Sequence, residues 1–388
     1  MKNKNKTDFI PMALVNSVFL PLSILLGAIY KSKKTKFEDF FGMNVNLDKG
    51  EEQIDLINEL NCKNLLIRIP LNDIKNINAY KEFIEKFKDK NITINIIQDR
   101  ANIDDTKLLE KNIRLIFYTF KGICSQFQIG NAVNENKWGF FSIKEYLKFY
   151  TTVQTIRNDK FHNYTLIGPS VKGFNLQYGV RALFNYFKIK FDRVSALMYV
   201  DSQGHPENPQ FMTFDLTKQI NTLYGLSTLA IKSNNNIILS EVNWHIEGEK
   251  EASEFAVSQE DQAIYMLRYY LLALGTKKVQ SVFWFQLISS TFGLTYIKKG
   301  KLEKRKSFYA YKTMLEYLEQ CEVEQYSNSN GLHVLTIKNT KGKKLDVVWA
   351  QDKEASVELT DFKEVFDMYG NELKKDIKIT NSPIYAYH

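Results

Sequence analysis

The chain has 388 residues, of which 44% are apolar and 13% aromatic, and its formal net charge is +8 at pH 7. This length and composition predict a globular protein with one large and one small domain, and they exclude a disordered chain. The lysines are spread through every segment, without an arginine-rich stripe or a zinc or RNA-binding signature, so no nucleic-acid partner is predicted. Cys62, Cys124 and Cys321 lie far apart and lack metal-ligand or redox spacing, which predicts buried thiols.

Residues 9–30 contain no charged side chain and are long enough to cross a bilayer. The lysines that flank this segment are Lys2, Lys4 and Lys6 before it and Lys31, Lys33, Lys34 and Lys36 after it. The pattern predicts a membrane anchor, with the larger lysine group placing the following domain in the cytoplasm. Pro11, Pro21 and Asn16 moderate the hydrophobicity, so a buried or amphipathic leading helix is the alternative. A signal peptide is disfavoured because no small-residue cleavage site precedes the second lysine group.

From residue 39 to residue 320, short apolar runs alternate with longer amphipathic segments. The predicted helices in this region include residues 51–60, 107–121, 143–157, 259–274 and 307–319. The predicted strands cover residues 41–46, 65–70, 92–98, 125–131, 165–169, 194–200, 237–242 and 279–287. Repeated βα units of this number and length predict a (β/α)8 TIM barrel. The alternative, an open doubly wound sheet, would usually have fewer units and a glycine-rich phosphate loop, which the sequence lacks.

After the barrel the pattern changes to short strands with alternating apolar residues and turn residues between them. The predicted strands cover residues 332–338, 344–350, 356–359, 365–371 and 383–385. This periodicity predicts a small β-sandwich. The expected organisation is therefore a hydrophobic segment (1–38), a barrel (39–320) and a small all-β domain (321–388).

The seventh predicted strand ends in Glu241, which Asn243 and Trp244 follow closely. Because the carboxyl ends of barrel strands surround one cavity, Glu241 is predicted to act there as a nucleophile. A glutamate that merely begins a surface loop is the alternative. Polar and aromatic residues at the other strand ends favour a functional cavity over that alternative.

The residues predicted at these strand ends suit a carbohydrate site, since amides and carboxylates hydrogen-bond hydroxyl groups and flat aromatic rings stack on the C–H faces of sugars. The predicted substrate-binding residues are Arg68, Gln98, Asp99, Asn131, Asn134, Trp138, Tyr199, Asp201, His205, Glu207, Asn243, Trp244, Trp284 and Gln286. Such residues are also common on loops that bind nothing. No metal site or cofactor is predicted, because the five histidines are scattered.

Three motifs resemble those of the clan A retaining glycoside hydrolases. Ile238-Leu-Ser-Glu241-Val matches the strand-seven motif that ends in the nucleophile, Phe283-Trp284 matches an aromatic pair on strand eight, and Gly130-Asn131 matches strand four. The resemblance implies a sugar-active barrel with Glu241 as nucleophile. Ala132, however, stands where that family has its acid/base glutamate, so that role cannot be carried over.

The chain also resembles a narrower group of bacterial glycosidase-like proteins that read Gly-x-Ala-x-Asn at strand four, which implies an association with cell-surface polysaccharide. Glu135 lies on the same loop as Ala132 and is the candidate replacement for the acid, with a solvated loop glutamate as the alternative. Asp201, His205 and Glu207 are expected to bind substrate or cap a loop.

Three functions follow from these observations. The leading hypothesis is a glycoside hydrolase or transglycosylase that acts on a glycan through Glu241. The second is a carbohydrate-binding protein on a degenerate glycosidase barrel. The third is a membrane-tethered scaffold whose polar strand ends are incidental.

Overall fold

A closed barrel of eight parallel strands forms the centre of the protein. The structure is a computed structural model that describes residues 6–173, 175–200, 204–210, 213–247, 256–352, 361–376 and 378–388. The barrel strands are β1 (Phe41–Val45), β2 (Asn64–Pro70), β3 (Asn91–Ile97), β4 (Gln126–Ile129), β5 (Thr165–Lys172), β6 (Arg193–Leu197), β7 (Ile237–Val242) and β8 (Val279–Trp284). Each strand pairs with the next one, and β8 pairs with β1. The predicted barrel and its strands are confirmed.

The helices lie outside the barrel. They are α1 (Lys6–Ile29), α2 (Glu52–Leu60), α3 (Ile77–Glu85), α4 (Arg100–Asp104), α5 (Thr106–Thr119), α6 (Ile143–Lys160), α7 (Leu176–Leu183), α8 (Leu216–Leu229), α9 (Gln259–Gly275) and α10 (Lys306–Leu318). Asp99, Ser142 and Asp215 cap α4, α6 and α8, because each side chain accepts a hydrogen bond from the backbone N–H three residues later.

The barrel interior is filled by Leu66, Ile167, Ile238 and Phe283, which form one buried cluster. Gly42 on β1 makes room for this cluster, since a Cβ atom there would lie 2.4 Å from the Phe283 ring. Side chains two residues apart on a strand share a face, so Arg68 follows Leu66 on the inner face of β2. The packed interior therefore supports the polar groups at the carboxyl ends of the strands.

After β8, β9 (Thr295–Lys298) and β10 (Lys301–Lys304) pair as an antiparallel hairpin. The strands that follow α10 are β11 (Glu322–Ser329), β12 (Leu332–Lys338), β13 (Lys344–Ala350), β14 (Glu364–Phe366) and β15 (Ile384–Tyr387). They form one antiparallel sheet in the order β11-β12-β13-β15-β14. Trp349 and Tyr385 from this sheet belong to the same hydrophobic core as Leu318 on α10. The predicted all-β addition is confirmed, while the predicted strand at 356–359 lies outside the described residues.

The N-terminal apolar segment is helical. Within the described part of the chain, Ile10–Ile29 is the one stretch long and apolar enough to cross a membrane by length and composition, with a mean hydropathy of 2.1. The helix α1 packs along α7 and α8 on the outside of the barrel.

Candidate active site

Glu241 lies near the end of β7 and is 8% exposed. Strand pairing between β7 and β8 is irregular between Leu239 and Val242, on either side of this residue. The carboxylate accepts hydrogen bonds from the Arg68 guanidinium on β2 and from the Tyr199 hydroxyl after β6. The structure therefore brings together three of the residues that the sequence predicted for the site.

The two partners of Glu241 are themselves held in place. The Arg68 guanidinium lies over the Phe285 ring, 3.9 Å from its centroid. The Tyr199 backbone oxygen accepts a hydrogen bond from Gln210 at 2.9 Å, and the neighbouring Met198 oxygen accepts one from Tyr269 at 2.7 Å. Burial, and then the charge of Glu241, raise the pKa of Tyr199 well above its usual value. Tyr199 therefore stays protonated and donates to the carboxylate.

The segment after β4 makes a sharp turn at Ala132, which has a positive φ of 46° and is 1% exposed. Gln98 fixes the preceding residue by accepting from the Asn131 N–H at 2.9 Å and donating to its carbonyl at 2.8 Å. The Asn131 side-chain oxygen accepts from Asn95 at 3.0 Å. Asn131 and Gln98 therefore form one buried unit at the barrel mouth, and Ala132 brings no ionisable group to it.

Glu135 lies between two ammonium groups, with Lys137 Nζ at 3.4 Å and Lys172 Nζ at 3.5 Å from its carboxylate. The loop that carries Glu135 is fixed by Asn134, whose amide donates to the Lys172 carbonyl at 3.1 Å and accepts from the Lys172 N–H at 2.8 Å. Lys172 Nζ also lies 5.6 Å from the centroid of the Tyr199 ring. Lys172 therefore lies near both Glu135 and the ring of Tyr199, whose hydroxyl donates to Glu241.

A cleft of about 700 Å³ opens beside this centre on the side of β1 to β3 and β8. Five of the predicted substrate-binding residues line it: Arg68, Gln98, Asp99, Trp138 and Gln286. Its volume lies within the usual range for small-molecule sites. Gln286 accepts a hydrogen bond from Asn46, and Asp99 is occupied in capping α4.

The three tryptophans predicted to bind sugar, Trp138, Trp244 and Trp284, differ in how accessible their indole rings are. Trp244 and Trp284 are almost fully buried and stack on each other, with ring centroids 6.1 Å apart and an interplanar angle of 17°. The Trp244 N–H donates to the Gly204 carbonyl at 3.0 Å. Trp138 is only half-buried and lines the cleft, so it is the ring of the three that is open to a sugar.

His205 and Glu207 lie at the contact between the barrel and the C-terminal sheet. Glu207 accepts two hydrogen bonds from Arg268, at 2.9 and 2.6 Å, and one from the Trp349 indole at 3.0 Å. His205 bridges Glu207 and Asp352 at 3.1 and 3.0 Å. The structure therefore does not bring these two residues together with Glu241.

The remaining predicted residues are Asn243 and Asp201. The Asn243 amide donates to the Phe285 carbonyl at 2.8 Å and so holds the segment after β8. Asp201 lies outside the described residues. Among the residues that are described, no group of three or more His, Cys, Asp or Glu is arranged to hold a metal ion.

Sequence reasoning missed Lys172, Phe285 and Asn46. Lys172 was missed because the predicted fifth strand ended at residue 169, whereas β5 passes through an irregularity between Pro169 and Val171 and continues to Lys172. Asn46 and Phe285 were missed because they lay within the predicted first and eighth strands, whereas β1 ends at Val45 and β8 at Trp284.

No protein-family model and no curated protein matches this chain in sequence. Solved structures do match it in fold. A family 39 glycoside hydrolase from Bacteroides cellulosilyticus WH2 has a TM-score of 0.66 and 13% identity, over 92% of this chain and 82% of the other.

Two further solved structures are similar. An α-L-arabinofuranosidase from Thermotoga maritima has a TM-score of 0.62 and 11% identity, over 92% of this chain and 98% of the other. The family 30 subfamily 8 xylanase Xyn30A from Clostridium acetobutylicum has a TM-score of 0.60 and 10% identity, over 91% of this chain and 97% of the other. The chain therefore has the barrel fold of the clan A glycoside hydrolases.

Proposed function

We propose that this protein is a glycoside hydrolase that acts on a glycan or cell-surface polysaccharide, with Glu241 as its nucleophile. The observation that carries the proposal is the convergence of Arg68 and Tyr199 on the Glu241 carboxylate at the barrel mouth. The two donors fix the orientation of this carboxylate, and a nucleophilic carboxylate must be oriented in this way. The glycosidase fold of the similar structures supports the same reaction class.

In the proposed reaction, a Glu241 oxygen attacks the anomeric carbon of a sugar and displaces the leaving oxygen. Water then attacks the same carbon of the glycosyl ester and gives its proton to the carboxylate that first acted as the acid, which frees the sugar, restores the Glu241 carboxylate and regenerates the acid. The Arg68 guanidinium donates to one Glu241 oxygen and the Tyr199 hydroxyl donates to the other, so the attacking oxygen forms the bond through the lone pair that its donor leaves free. Trp138 and Gln286 are the proposed sugar contacts in the adjacent cleft.

Glu135 is the proposed proton donor to the leaving oxygen. Its carboxylate lies within ion-pair distance of Lys137 Nζ and Lys172 Nζ. A leaving oxygen that approaches this carboxyl group must displace at least one of the two ammonium groups.

The nearly isosteric variant Glu241→Gln tests the proposal. We expect turnover to fall by at least about 10³-fold, since the covalent step is removed, while the protein still folds and still binds sugar. Xylosides, arabinofuranosides and glucosides are the first substrates to assay. Unchanged turnover in a folded Glu241→Gln protein would rule out the nucleophile role.

A glycan-binding protein without activity is the second candidate, and Ala132 is the observation that favours it. This function predicts that glycans bind with measurable affinity while no glycosidic bond is cleaved, even in aryl glycosides with good leaving groups. Cleavage of any of those activated substrates, lost in Glu241→Gln, would exclude the second candidate.

We also propose that the protein associates with a membrane through α1. The apolar stretch Ile10–Ile29 and the lysines after it support this association. Recovery of the full-length protein in the membrane pellet of lysed cells, and its move to the soluble fraction when residues 1–30 are deleted, is the expected result.

A further inference from the structure

One face of α1 packs tightly against α8. Ser23 and Gly27 on this face are buried. A Cβ atom on Gly27 would lie 2.0 Å from the Asn221 carbonyl oxygen, and one on Gly225 would lie 2.1 Å from the Ser23 carbonyl oxygen. The two helices therefore approach backbone to backbone, a contact that only glycines at these positions permit.

Polar and aromatic contacts continue this attachment along the helix. The Asn16 amide donates to the Gln177 carbonyl at 3.1 Å, and the Phe19 ring stacks on Phe184 with centroids 3.7 Å apart. Near the other end, Lys278 Nζ donates to the Gly27 carbonyl at 2.8 Å. A helix that crossed the membrane would either lose these contacts with the barrel or carry the Lys278 ammonium group into the hydrocarbon, which is costly.

The opposite face of α1 is apolar and uncovered. Its large side chains are between 44% and 66% exposed and recur every three or four residues, which places them on one stripe: Ile10, Leu14, Val18, Leu22, Leu25 and Ile29. At 1.5 Å per residue the stripe is about 28 Å long. Including Ile24 and Tyr30, this segment holds eight of the fourteen exposed large hydrophobic side chains of the described chain.

Two more strongly exposed apolar side chains follow α7 and α8, the helices that hold α1. Tyr186, 72% exposed, follows two residues after Phe184, the residue that stacks on α1. Ile231 is 93% exposed, and its neighbour Lys232 contacts the carbonyl of Phe187. Soluble proteins rarely concentrate their exposed apolar side chains in one place unless something covers them.

The charges around the stripe identify what covers it. Lys31, Lys33 and Lys36 are exposed directly after α1, and the sequence has no acidic residue from position 9 to position 37. An apolar stripe that ends in lysines matches one leaflet of an anionic membrane. The apolar side chains would contact the acyl chains, and the lysines would contact the anionic headgroups. A protein partner would need no such run of cations.

We infer that α1 lies in the plane of an anionic membrane, clamped to the barrel by α7 and α8, instead of crossing the bilayer. This inference rests on the membrane association proposed above and adds the orientation of α1 relative to the bilayer. Both ends of α1 and the barrel then lie on the same side of the membrane. The stripe, Tyr186 and Ile231 are immersed together, which holds the barrel at a fixed orientation against the lipid surface.

Thiol labelling in sealed vesicles tests the geometry. Cys62, Cys124 and Cys321 are buried, so single cysteines introduced by Lys6→Cys or Lys301→Cys can be labelled over a low background. We expect a membrane-impermeant maleimide to label both variants from the same side. Labelling from opposite sides would overturn the in-plane orientation while leaving membrane association intact. A protein found only in the soluble fraction would overturn both.

Vesicle flotation tests the stripe itself. The double variant Leu14→Glu and Leu25→Glu is compared with Leu115→Glu and Tyr118→Glu, which alters two exposed apolar side chains of α5. On vesicles of phosphatidylethanolamine and phosphatidylglycerol, the wild type and the α5 variant should float, while the α1 variant binds at least about tenfold more weakly. Equal binding of the α1 and α5 variants would refute the assignment.

Discussion

At the scale of the residue, two hydrogen-bond donors fix the position of the Glu241 carboxylate. Arg68 supplies a positive charge stacked on Phe285, and Tyr199 supplies a hydroxyl whose raised pKa keeps its proton. The sequence could predict Glu241, since a buried parallel strand reads as an apolar run and the glutamate ends it. It could not predict the pairing of Glu207 with Arg268 and Trp349, which lie 61 and 142 residues further along the chain.

Removing the hydroxyl by Tyr199→Phe should lower kcat by about 10- to 100-fold, because a hydrogen bond to a charged group contributes about 1.5–3 kcal/mol. The measurement is steady-state hydrolysis of the aryl glycoside that the wild type cleaves fastest. Tyr150→Phe is the matched control, since its hydroxyl donates to the Lys190 carbonyl at 3.0 Å, outside the site. Equal losses in the two variants would contradict a specific role for Tyr199.

At the scale of the element, the eight barrel strands were predictable because each is buried on both faces. β11 (Glu322–Ser329) was missed because its sequence is mostly polar and its side chains are mostly exposed. The hairpin of β9 (Thr295–Lys298) and β10 (Lys301–Lys304) was missed because such short, partly exposed strands give little apolar signal. Hydropathy identified α1, but the sequence could not predict that α1 packs against Gly225, which lies about two hundred positions further along the chain.

The packing of α1 on α8 predicts different effects for two neighbouring substitutions. Gly27→Leu must separate the helices, whereas Ala28→Leu adds the same side chain on the exposed side. Overpacking of this kind costs about 1–3 kcal/mol, so trypsin should cut after Lys31 and Lys33 about tenfold faster in Gly27→Leu than in the wild type. Equal cleavage of the two variants in detergent would contradict the contact.

At the scale of the whole molecule, Glu207 joins the barrel to the C-terminal sheet. Burial alone would raise the pKa of Glu207, but hydrogen bonding to His205 and pairing with Arg268 outweigh it and lower the pKa from 4.5 to about 2. Since the folded-state pKa is the lower one, this carboxylate stabilises the fold above pH 4.5. The contribution is lost as the pH falls towards 2.

Glu207→Gln should therefore destabilise the protein by about 3 kcal/mol at pH 7 and by about half as much at pH 3. Urea unfolding at the two pH values measures the difference. Glu110→Gln, which alters an exposed glutamate of α5, serves as the control and should change neither value. A destabilisation by Glu207→Gln that is the same at both pH values would contradict the linkage.

Trapping of a glycosyl-enzyme tests directly whether Glu241 is the nucleophile. A 2-deoxy-2-fluoro glycoside with a dinitrophenolate leaving group needs no proton donor, so the outcome depends on the nucleophile and is independent of Glu135 and Ala132. Intact-mass spectrometry of the wild type with xylosyl, arabinofuranosyl and glucosyl reagents should show one added sugar, mapped to Glu241 and absent from Glu241→Gln. An adduct on another residue, or turnover of the reagents without any adduct on Glu241, would contradict the nucleophile role of Glu241.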